Sequence, residues 1–463
     1  MKKLLTFAGL ILISIFTYAS KTEILSANVA SKDITPPLEM RDTLLVENIF
    51  PFQQQHCHGS TLVELPNKDL LCAWFQGSGE RTSDDVAIRG SRYNHKTHQW
   101  GTPFMMADVP GFPDINPVLF IDSKSRLWLT WYTVMAYQWS SSLLKFRISD
   151  NYLQKTGAPV WIWQDVLHIK ADGSPNTGIG ENDPFVMTLL KKFDAYYQYL
   201  VQKGDISDTG KSNVSKQAWS KARKYYTDLA KGSNLISDGT DVNEQGEKVR
   251  KQLGYPLMRR IGWQTRNKPL ILGNRILLPL YSDGLNLSLV AITTDFGETW
   301  SFSEPILGGG AIQPTLALNK DGSITMLMRD NGPAPKRLMK SVSKDGGLTW
   351  SSVVDTDIPN PGTAADVVVL KSGNWALVLN DIENGRHKLS VWLSADQGAT
   401  WPYRKIIVNG QPNSAVRGHY PAIIQGKDGL IHISYTNQIA DKSGTSELKN
   451  IVHAVFSENW LMH

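Results

Sequence analysis

Four arginines and one closely spaced pair of histidines have the side-chain types and spacing to do chemistry. The arginines are Arg81, Arg266, Arg329 and Arg386. The histidines flank a cysteine in His56-Cys57-His58, and because successive side chains alternate across a strand, both imidazoles would share one face. Paired imidazoles suit proton abstraction or the activation of water near neutral pH. An alternative interpretation makes one histidine a core residue and the other a site residue.

The group of arginines predicts an anionic ligand. Guanidinium groups bind carboxylates through two parallel hydrogen bonds. If several arginines surround one opening, an oligo- or polysaccharide that carries uronate or sialate would fit them. The formal net charge of the chain is +5, and so mild an excess over a large surface does not indicate a nucleic-acid-binding protein.

A motif that recurs three times predicts the elements that position these residues. Its copies are Thr294–Trp300, Ser343–Trp350 and Ser394–Trp401, and their aspartates lie about fifty residues apart. The aspartate can accept hydrogen bonds from nearby backbone amides and close a turn, and the glycine two positions later permits a left-handed backbone. A repeat at this period is typical of propellers, so we expect an all-β propeller.

Six blades can be delimited, and a seventh could be hidden at an insertion. Each blade opens with a polar residue before an apolar first strand: His58, Asn116, Asn267, Gln313, Asp366 and Tyr420, with Arg266 and His419 directly adjacent. The second strands end in a further polar set: Arg81, Tyr132, Tyr281, Asp283, Arg329 and Arg386. First strands line the channel of a propeller, so these positions should converge on one mouth. Any one of them alone could be a satisfied surface group.

Helical patterns interrupt the blades over about residues 184–256. Apolar residues recur with a helical period from Pro184 onward, and a second helix is predicted over Ser215–Lys231. A third, short helix is expected at Glu244–Leu253. The insertion should be either a scaffold on one side of the propeller or a part of the substrate cleft. Thr43–Phe50 is expected to close the propeller by pairing with the last blade.

The first twenty residues predict a secretory signal peptide. Lys2 and Lys3 precede an apolar run, Leu4–Phe16, that is too short for a stable membrane span. Residues 21–40 predict a linker, and residues 41–463 predict a single propeller domain. The protein should therefore be secreted or periplasmic, and no other stretch predicts a membrane span.

The only two cysteines, Cys57 and Cys72, are expected to be buried thiols. Both fall in one predicted hairpin, whose register places Cys72 opposite Val63 and away from Cys57, so a disulfide is not favoured. Their spacing relative to His56 and His58 fits no zinc motif. No metal or cofactor is predicted, and we expect a monomer.

These motifs resemble the sialidase-like BNR-repeat superfamily of propellers, whose Asp-box is similar to the threefold repeat. The strand openings that resemble it are His58–Pro66, Asn116–Phe120, Gln313–Leu316 and Tyr420–Gln425, within a resemblance over most of residues 50–460. The chain looks most like bacterial propellers that act on rhamnose-α-1,4-glucuronate caps of arabinogalactan, some of them hydrolases and others lyases. In those hydrolases a single histidine acts with the substrate carboxylate, which implies His56 or His58 here.

The leading hypothesis is an enzyme that removes a terminal sugar at a uronate-containing linkage of this type. Its catalytic candidates are His56, His58, Tyr281 and Arg329. Its substrate-binding candidates are Arg81, Asn116, Tyr132, Arg266, Asp283, Gln313, Asp366, Arg386, His419 and Tyr420. In a lyase, a tyrosine or histidine would abstract the proton beside the carboxylate and arginine would neutralise the developing enolate.

Two alternatives remain. An exo-α-sialidase should carry Phe-Arg-Ile-Pro in its first blade and use a tyrosine nucleophile paired with a glutamate. The similar run Phe146–Ser149 falls late in blade two instead, and Arg81 would then be essential. A non-catalytic glycan-binding propeller would bind the same ligands without turnover.

Overall fold

The structure, a computed structural model, describes residues 43–171, 183–206, 215–231, 237–242, 245–252, 259–412, 416–440 and 447–463. The predicted signal peptide at residues 1–20 and linker at residues 21–40 lie outside these ranges. None of the described helices is long and apolar enough to span a membrane.

The strands of the described residues form six sheets of four or five strands, which are the six predicted blades, and one two-stranded hairpin. The first strand is β1 (Leu45–Asn48). Blade one contains β2 (His56–Glu64), β3 (Leu70–Gly77), β4 (Ala87–Asn94), β5 (Gln99–Trp100) and β6 (Phe104–Ala107). Blade two contains β7 (Asp114–Ile121), β8 (Leu127–Val134), β9 (Ser142–Ser149) and β10 (Trp163–Val166). The hairpin is β11 (Ser237–Val242) and β12 (Lys248–Gln252).

The remaining blades follow the same antiparallel order. Blade three contains β13 (Gln264–Thr265), β14 (Leu270–Leu272), β15 (Arg275–Ser282), β16 (Leu287–Thr293) and β17 (Ser301–Phe302). Blade four contains β18 (Ala311–Leu318), β19 (Ile324–Asp330), β20 (Arg337–Ser343) and β21 (Val354–Pro359). Blade five contains β22 (Asp366–Val369), β23 (Trp375–Leu379), β24 (Lys388–Ser394) and β25 (Tyr403–Asn409). Blade six contains β26 (Val416–Gln425), β27 (Ile431–Ala440) and β28 (Glu447–Phe456).

Strand β1 completes blade six, as expected for Thr43–Phe50. It pairs antiparallel with β28, with Leu45 opposite Val455 and Asn48 opposite Val452. The outer strand of the last blade therefore comes from the beginning of the described chain, so the two ends of the propeller are held together by backbone hydrogen bonds.

The threefold repeat forms the predicted turns. A hydroxyl two residues before each aspartate donates to its carboxylate, as Thr293 does to Asp295 at 2.7 Å and Ser394 does to Asp396 at 2.7 Å. The same carboxylates accept from the backbone amide four residues later, at 2.9 Å for Asp295 and 2.8 Å for Asp396. The hydroxyls of Thr299 and Thr400 also donate to these carboxylates, and together with the other hydrogen bonds they lower the pKa of Asp295 and of Asp396 to about 2. The carboxylates are fully engaged in the turns and are structural.

Two helices, α1 (Pro184–Lys203) and α2 (Lys216–Lys231), lie in the insertion between blades two and three. Asp183 caps α1 by accepting from the amide of Phe185 at 3.0 Å, and it pairs with Arg259 at 2.6 Å. The buried side of α1 is apolar: Phe185, Val186, Leu189, Phe193, Tyr196 and Leu200. A single turn of 3₁₀ helix, Trp139–Ser141, follows β8, and a short helix, α3 (Glu458–Met462), ends the chain.

The prediction of a third insertion helix over Glu244–Leu253 is wrong. The described residues there belong to the β11–β12 hairpin, and Gly246 has φ +77° between its strands. A left-handed glycine is favourable in a tight turn and unfavourable inside a helix, so the local sequence selects the hairpin.

Cys57 and Cys72 are both free and buried, which confirms two thiols. The predicted register was wrong by one residue, because Cys72 lies opposite Leu62 rather than Val63. The turn is not a two-residue turn at Asn67-Lys68. The amide of Leu65 donates to the carbonyl of Asp69 at 2.8 Å and Lys68 is left-handed, so the loop is one residue longer than the prediction assumed.

Candidate functional site

Four of the first strands are broken by a β-bulge at the same end of the propeller. The pairing shifts between His58 and Thr61 in blade one and between His419 and Ala422 in blade six. Equivalent shifts occur in blades two and four. The left-handed residues at these bulges are Gly59, Asn116, Gln313 and Tyr420. Positive φ is unfavourable for the last three side chains, and such strain is concentrated at functional sites.

This register corrects the alignment of blade one. The residue equivalent to Asn116, Gln313 and Tyr420 is Gly59 rather than His58. His58 is instead the counterpart of His419, each standing one residue before the left-handed position. The two imidazoles therefore meet, with ring centroids 4.8 Å apart.

The polar residues of the bulges form a buried network around the channel. The Asn116 amide donates to the hydroxyls of Tyr132 at 3.1 Å and Tyr281 at 3.3 Å. The Gln313 amide donates to the hydroxyls of Tyr281 at 3.4 Å and Tyr420 at 3.0 Å. The structure thus brings five of the predicted site residues into one cluster, which we call the tyrosine network.

Arg329 lies against this network from blade four. Its guanidinium donates to the Tyr420 hydroxyl at 2.9 Å and to the Asn331 side-chain oxygen at 3.0 Å. Asp283, in the loop after β15, lies close enough to Arg329 for the two charges to interact. Burial raises the pKa of Asp283, and the Arg329 cation opposes that rise.

Burial keeps the phenols of Tyr132 and Tyr281 protonated. It raises the pKa of Tyr281, and it raises the pKa of Tyr132 well above the ordinary value. The negative charge of Asp283 raises both pKa values further. These hydroxyls can therefore donate or accept hydrogen bonds, but they are poor bases near neutral pH.

Two predicted binding residues lie beneath the mouth and hold strands together. Arg266 is fully buried and donates to the backbone carbonyls of Ser60, Tyr420 and Pro421 at 2.5–3.2 Å. Asp366 accepts from Thr315 at 2.7 Å, from Lys268 at 2.8 Å and from the amide of Ile423 at 3.0 Å. The geometry places neither where it could contact a ligand at the mouth.

A cavity of about 290 Å³ opens beside the tyrosine network, between blades five, six and one. We call it the histidine cavity. It is lined by His56, His58, Glu80, Arg386, Arg417, His419, Gln438, Glu447 and Lys449. Four of these, His56, His58, Arg386 and His419, were predicted site residues.

His58 is held at the floor of the histidine cavity. Its Nδ1 lies 2.9 Å from the Thr436 hydroxyl, and its ring packs 4.1 Å from that of Tyr420. Burial lowers the pKa of His58 well below the ordinary value, and the neighbouring His419, His56 and Arg386 lower it further. The imidazole is therefore neutral near pH 7.

His419 is neutral for the same reason. Burial lowers its pKa well below the ordinary value, and the cations of Arg386 and Lys449 act in the same direction. Its Nδ1 lies 3.5 Å from the Arg386 guanidinium, so Nδ1 is the acceptor. In the neutral ring Nε2 then carries the proton, and this buried atom has no partner among the described residues.

His56 is hydrogen-bonded through one ring nitrogen and lies near a carboxylate with the other. The Lys449 ammonium donates to Nδ1 at 2.8 Å, and Nε2 lies 3.4 Å from the Glu80 carboxylate. Burial alone would raise the pKa of Glu80, but the contact with His56 and the cations of Lys449 and Arg386 outweigh it and lower that pKa. With Lys449 on one side and Glu80 on the other, His56 has no free lone pair to act as a base.

Two cations of the histidine cavity are available to a ligand. Lys449 is committed, since it pairs with Glu447 at 3.1 Å as well as with His56. Arg386 is half-buried and stacks 5.3 Å over the Tyr420 ring, and Arg417 is exposed. Neither arginine forms an ion pair with a carboxylate of the described residues.

Arg81 lies apart from these arginines. Its Nε donates to the backbone carbonyl of Tyr137 at 3.1 Å, and its guanidinium stacks 4.9 Å over Trp139. It belongs to the contact between blades one and two and does not line the histidine cavity.

Five residues of the histidine cavity were missed from the sequence: Glu80, Arg417, Gln438, Glu447 and Lys449. Arg417 and Gln438 lie on the first and second strands of blade six, beside the positions that the alignment of the blades selects, and the other three lie outside first and second strands. Lys449 stands near the start of a third strand, and Glu80 lies in a loop after a second strand. The third-strand starts would have revealed Lys449, because they reach the same end of each sheet. No group of three or more His, Cys, Asp or Glu side chains in the described ranges is arranged to hold a metal ion.

Comparison with known proteins gives one family and many similar structures. The family described as a BNR repeat-like domain matches residues 68–206 and 209–433, which is most of the chain. No curated protein sequence is significantly similar to it.

Among solved structures, a protein of unknown function from Dyadobacter fermentans is similar, with a TM-score of 0.53 at 14% identity over 89% of this chain and 97% of that one. The intramolecular trans-sialidase from Ruminococcus gnavus has a TM-score of 0.53 at 16% identity, over 88% and 95%. The α-L-arabinofuranosidase from Fusarium graminearum has a TM-score of 0.50 at 11% identity, over 90% and 99%. Similarity at these identities establishes the propeller fold.

Proposed function

Since the chain belongs to the BNR repeat-like domain family, we propose that it is an exported carbohydrate-active enzyme that cleaves a terminal sugar at a uronate-containing glycan linkage. The linkage proposed is of the rhamnose–glucuronate type. Both glycosidases and a trans-sialidase share this fold, and the residues of the histidine cavity favour an anionic sugar as the ligand.

One observation carries this proposal: neutral imidazoles and unpaired arginines line the same cavity. His58 and His419 are buried and uncharged beside Arg386, whose guanidinium has no carboxylate partner among the described residues. A uronate carboxylate would supply that partner through charge-assisted hydrogen bonds. It would also bring the sugar carbons next to a base.

His58 is the proposed base. When its Nδ1 donates to the Thr436 hydroxyl at 2.9 Å, Nε2 holds the free lone pair. In His419, Arg386 occupies Nδ1 and the proton is on Nε2, and in His56 the Nδ1 lone pair accepts from Lys449. Of the three imidazoles, only His58 has a lone pair to accept a proton inside the cavity.

The same base serves either reaction. In hydrolysis His58 takes a proton from water, the water oxygen bonds to the anomeric carbon as the glycosidic bond breaks, and the leaving oxygen takes a proton from solvent, to which His58 later returns its own. In elimination His58 takes the proton beside the carboxylate, a carbon–carbon double bond forms as the bond to the sugar oxygen on the next carbon breaks, and that oxygen takes a proton from solvent in the same way. Arg386 would neutralise the negative charge that the carboxylate gains in the elimination.

The tyrosine network is proposed to bind rather than to abstract protons. A Tyr281 base would have to be ionised, and burial raises its pKa instead. The hydroxyls of Tyr281 and Tyr420, together with Arg329, can orient the sugar through hydrogen bonds. Tyr281 and Arg329 thus move from the catalytic to the binding group in this proposal.

The sialidase alternative has less support. A tyrosine nucleophile would be paired with a glutamate, whereas the Tyr420 hydroxyl is bonded to Arg329 and Gln313. Arg81 contacts backbone and a tryptophan ring instead of joining Arg386.

Product analysis on gum-arabic arabinogalactan by mass spectrometry tests the proposal. Free rhamnose beside intact glucuronate would mean hydrolysis. Rhamnose beside a product lighter by one water, with absorbance from the unsaturated uronate, would mean elimination. If neither product forms, the enzyme proposal fails for this linkage, and release of a fluorophore from a sialoside would favour the sialidase alternative instead. Binding without any product would favour a glycan-binding propeller.

A further inference from the structure

A second cavity, of about 340 Å³, lies between the helical insertion and blades three and four. We call it the insertion pocket. Its volume is within the range of about 300–1,000 Å³ that is usual for small-molecule sites. The loop that begins at Asp330 and the residues Leu307–Gly310 form its propeller side, and α1 and α2 form its other side.

The helices give the insertion pocket an aromatic wall. Trp219 and Tyr226 come from α2, and Phe193 and Tyr196 come from α1. Phe193 and Tyr196 are buried, whereas Trp219 and Tyr226 are half-buried. Phe193 stacks against Tyr226 at 5.8 Å and meets Trp219 at 5.6 Å. Flat aromatic faces of this kind suit the C–H faces of a sugar ring as well as other apolar groups.

Polar atoms on both sides of the insertion pocket are ready for hydroxyl groups. Asp355 Oδ1 and Trp219 Nε1 are buried, and neither has a hydrogen-bond partner among the described residues. Asn286 and Asn331 add two amides, which bond to each other at 3.3 Å. A sugar hydroxyl can donate to Asp355 and accept from Trp219 Nε1, which satisfies both orphaned groups.

The charges around the insertion pocket select against a uronate. Three carboxyl groups line it, Asp205, Asp330 and Asp355. Lys203 pairs with Asp355 at 2.6 Å and lies 3.5 Å from Asp205. The balance of these four groups is negative, so a second carboxylate would be repelled.

An organic cation is also a poor fit. Both oxygens of Asp330 accept from backbone amides, of Gly332 at 2.7 Å and Arg337 at 3.0 Å. One oxygen of Asp355 is already held by Lys203. Only one carboxylate oxygen of this pair is unpartnered, which suits a hydroxyl better than an ammonium group with three donors.

The insertion pocket is connected to the mouth of the propeller. Arg329 and Asp330 are consecutive residues at the end of β19. Arg329 faces the tyrosine network through Tyr420, and its other nitrogen donates to Asn331, which lines the insertion pocket. A chain of sugars that enters the mouth with its uronate end can therefore extend past Arg329 toward the helices.

We propose that the insertion pocket binds an uncharged sugar residue of the glycan, by packing against the aromatic wall at Tyr226 and by hydrogen bonds to Asp355, Asn331 and Trp219 Nε1. The inference rests on the proposed function in taking the ligand to be a glycan. It assigns the insertion a role in recognising the part of the polymer that remains after the terminal sugar is removed.

Calorimetric titration of the full chain with two probes tests this. One probe is oligosaccharide from carboxyl-reduced gum arabic, which is uncharged, and the other is glucuronate. Trp219→Ala should weaken binding of the neutral probe about tenfold or more and leave glucuronate binding unchanged. Arg386→Ala should weaken glucuronate binding and leave binding of the neutral probe unchanged. Trp163→Ala is the matched control, because Trp163 is an exposed tryptophan on β10 outside the pocket.

A filling variant guards against misfolding of Trp219→Ala, since Trp219 also packs against core residues. Ala218 is exposed and lines the pocket, so Ala218→Phe should block the neutral probe without removing core contacts. The inference is overturned if the neutral probe does not bind the wild type, if Ala218→Phe binds it normally, or if Trp163→Ala loses it equally. It is also overturned if tetramethylammonium binds the pocket in preference to the sugar. If the wild type binds the neutral oligosaccharide but does not bind glucuronate, the proposed function is overturned and this inference stands.

Discussion

His58 and His419 occupy equivalent positions in adjoining blades, yet their surroundings give them different roles. Thr436 holds Nδ1 of His58, and Arg386 faces Nδ1 of His419. If Nδ1 of His58 donates to Thr436, Nε2 of His58 keeps a lone pair, whereas Arg386 leaves a proton on Nε2 of His419. The proposed function uses this difference: one imidazole is the acceptor and the other the donor.

Replacing His58 should abolish turnover but not folding. His58→Ala is expected to lower kcat by roughly 10²–10⁴-fold, which is the usual contribution of a general base. Initial rates of rhamnose release measure this. The matched control is His432→Asn. His432 is also a buried neutral histidine, but it lies in blade six and outside the histidine cavity. A His58→Ala enzyme with normal kcat and weaker binding would contradict the assignment and support a binding module.

Replacing Arg386 should act mainly on substrate affinity. Loss of a charge-assisted hydrogen bond costs roughly 1.5–3 kcal/mol, so Arg386→Ala is expected to raise KM by about 10–100-fold. Arg81→Ala removes the same type of side chain outside the histidine cavity and should change KM little. Steady-state kinetics on the uronate-bearing substrate compare the two. If Arg81→Ala were the more damaging change, the carboxylate would bind elsewhere in the mouth.

At the scale of elements, the turns of the repeat also join neighbouring blades. Gly347, at the tip of blade four, has φ +95°, and a Cβ there would come within 2.7 Å of Leu277 in blade three. Gly322 has a similar φ of +85°, but a Cβ there would meet nothing within 4 Å. The two glycines share a backbone requirement and differ in what they touch.

This pair separates backbone strain from packing between blades. Gly322→Ala should cost only the left-handed strain, about 1–2 kcal/mol. Gly347→Ala should cost a further 1–3 kcal/mol or so, because the methyl group overpacks Leu277. Urea unfolding of both variants measures the difference. Equal losses of unfolding free energy in the two variants would show that Leu277 moves aside from the added methyl group without cost.

The insertion and the bulged first strands are the elements that make this propeller specific. The bulges turn Asn116, Gln313 and Tyr420 toward one channel. Helices α1 and α2 add an aromatic wall at the same end of the molecule. The blades supply a common frame, and the departures from regular strand geometry position the side chains.

At the scale of the whole molecule, buried histidines make stability depend on pH. His58, His419 and His432 all have pKa values well below the ordinary one because of burial. The unfolded chain binds protons as pH falls below about 6.5, and the folded chain does not, so acid lowers the free energy of unfolding. Asp330 acts in the opposite sense, since burial raises its pKa to about 6.

Removing one of these histidines should reduce the acid sensitivity. Between about pH 7.5 and about pH 5.5, the loss of unfolding free energy should be smaller in His432→Asn than in the wild type by up to about 1 kcal/mol. Urea unfolding at the two pH values measures this, and the contribution of Asp330 cancels in the comparison. If His432→Asn and the wild type lose the same unfolding free energy between the two pH values, His432 titrates alike in the folded and unfolded protein.

Much of the fold could be predicted because its signals are local. The Asp-box turns depend on hydrogen bonds within about five residues, and α1 and α2 follow from an apolar period and a capping position. The pattern of Glu244–Leu253 predicts a helix only if Gly246 is ignored. The left-handed backbone of Gly246 favours a turn instead. The same local signals placed the tyrosine network and four residues of the histidine cavity at one mouth.

The propeller, its six blades, its closing strand and the residue types at the mouth follow from the amino-acid sequence, because repeats and periodicity encode these locally. The role of each side chain depends instead on contacts that form only in the folded protein. The sequence does not distinguish Arg266 from Arg386. In the structure Arg266 is buried among backbone carbonyls, whereas Arg386 lines the histidine cavity. His56 and His58 differ because Lys449 and Thr436, nearly four hundred residues away, approach them from blade six. Charge, hydrogen bonding and burial arise from such distant contacts, and no local pattern contains them.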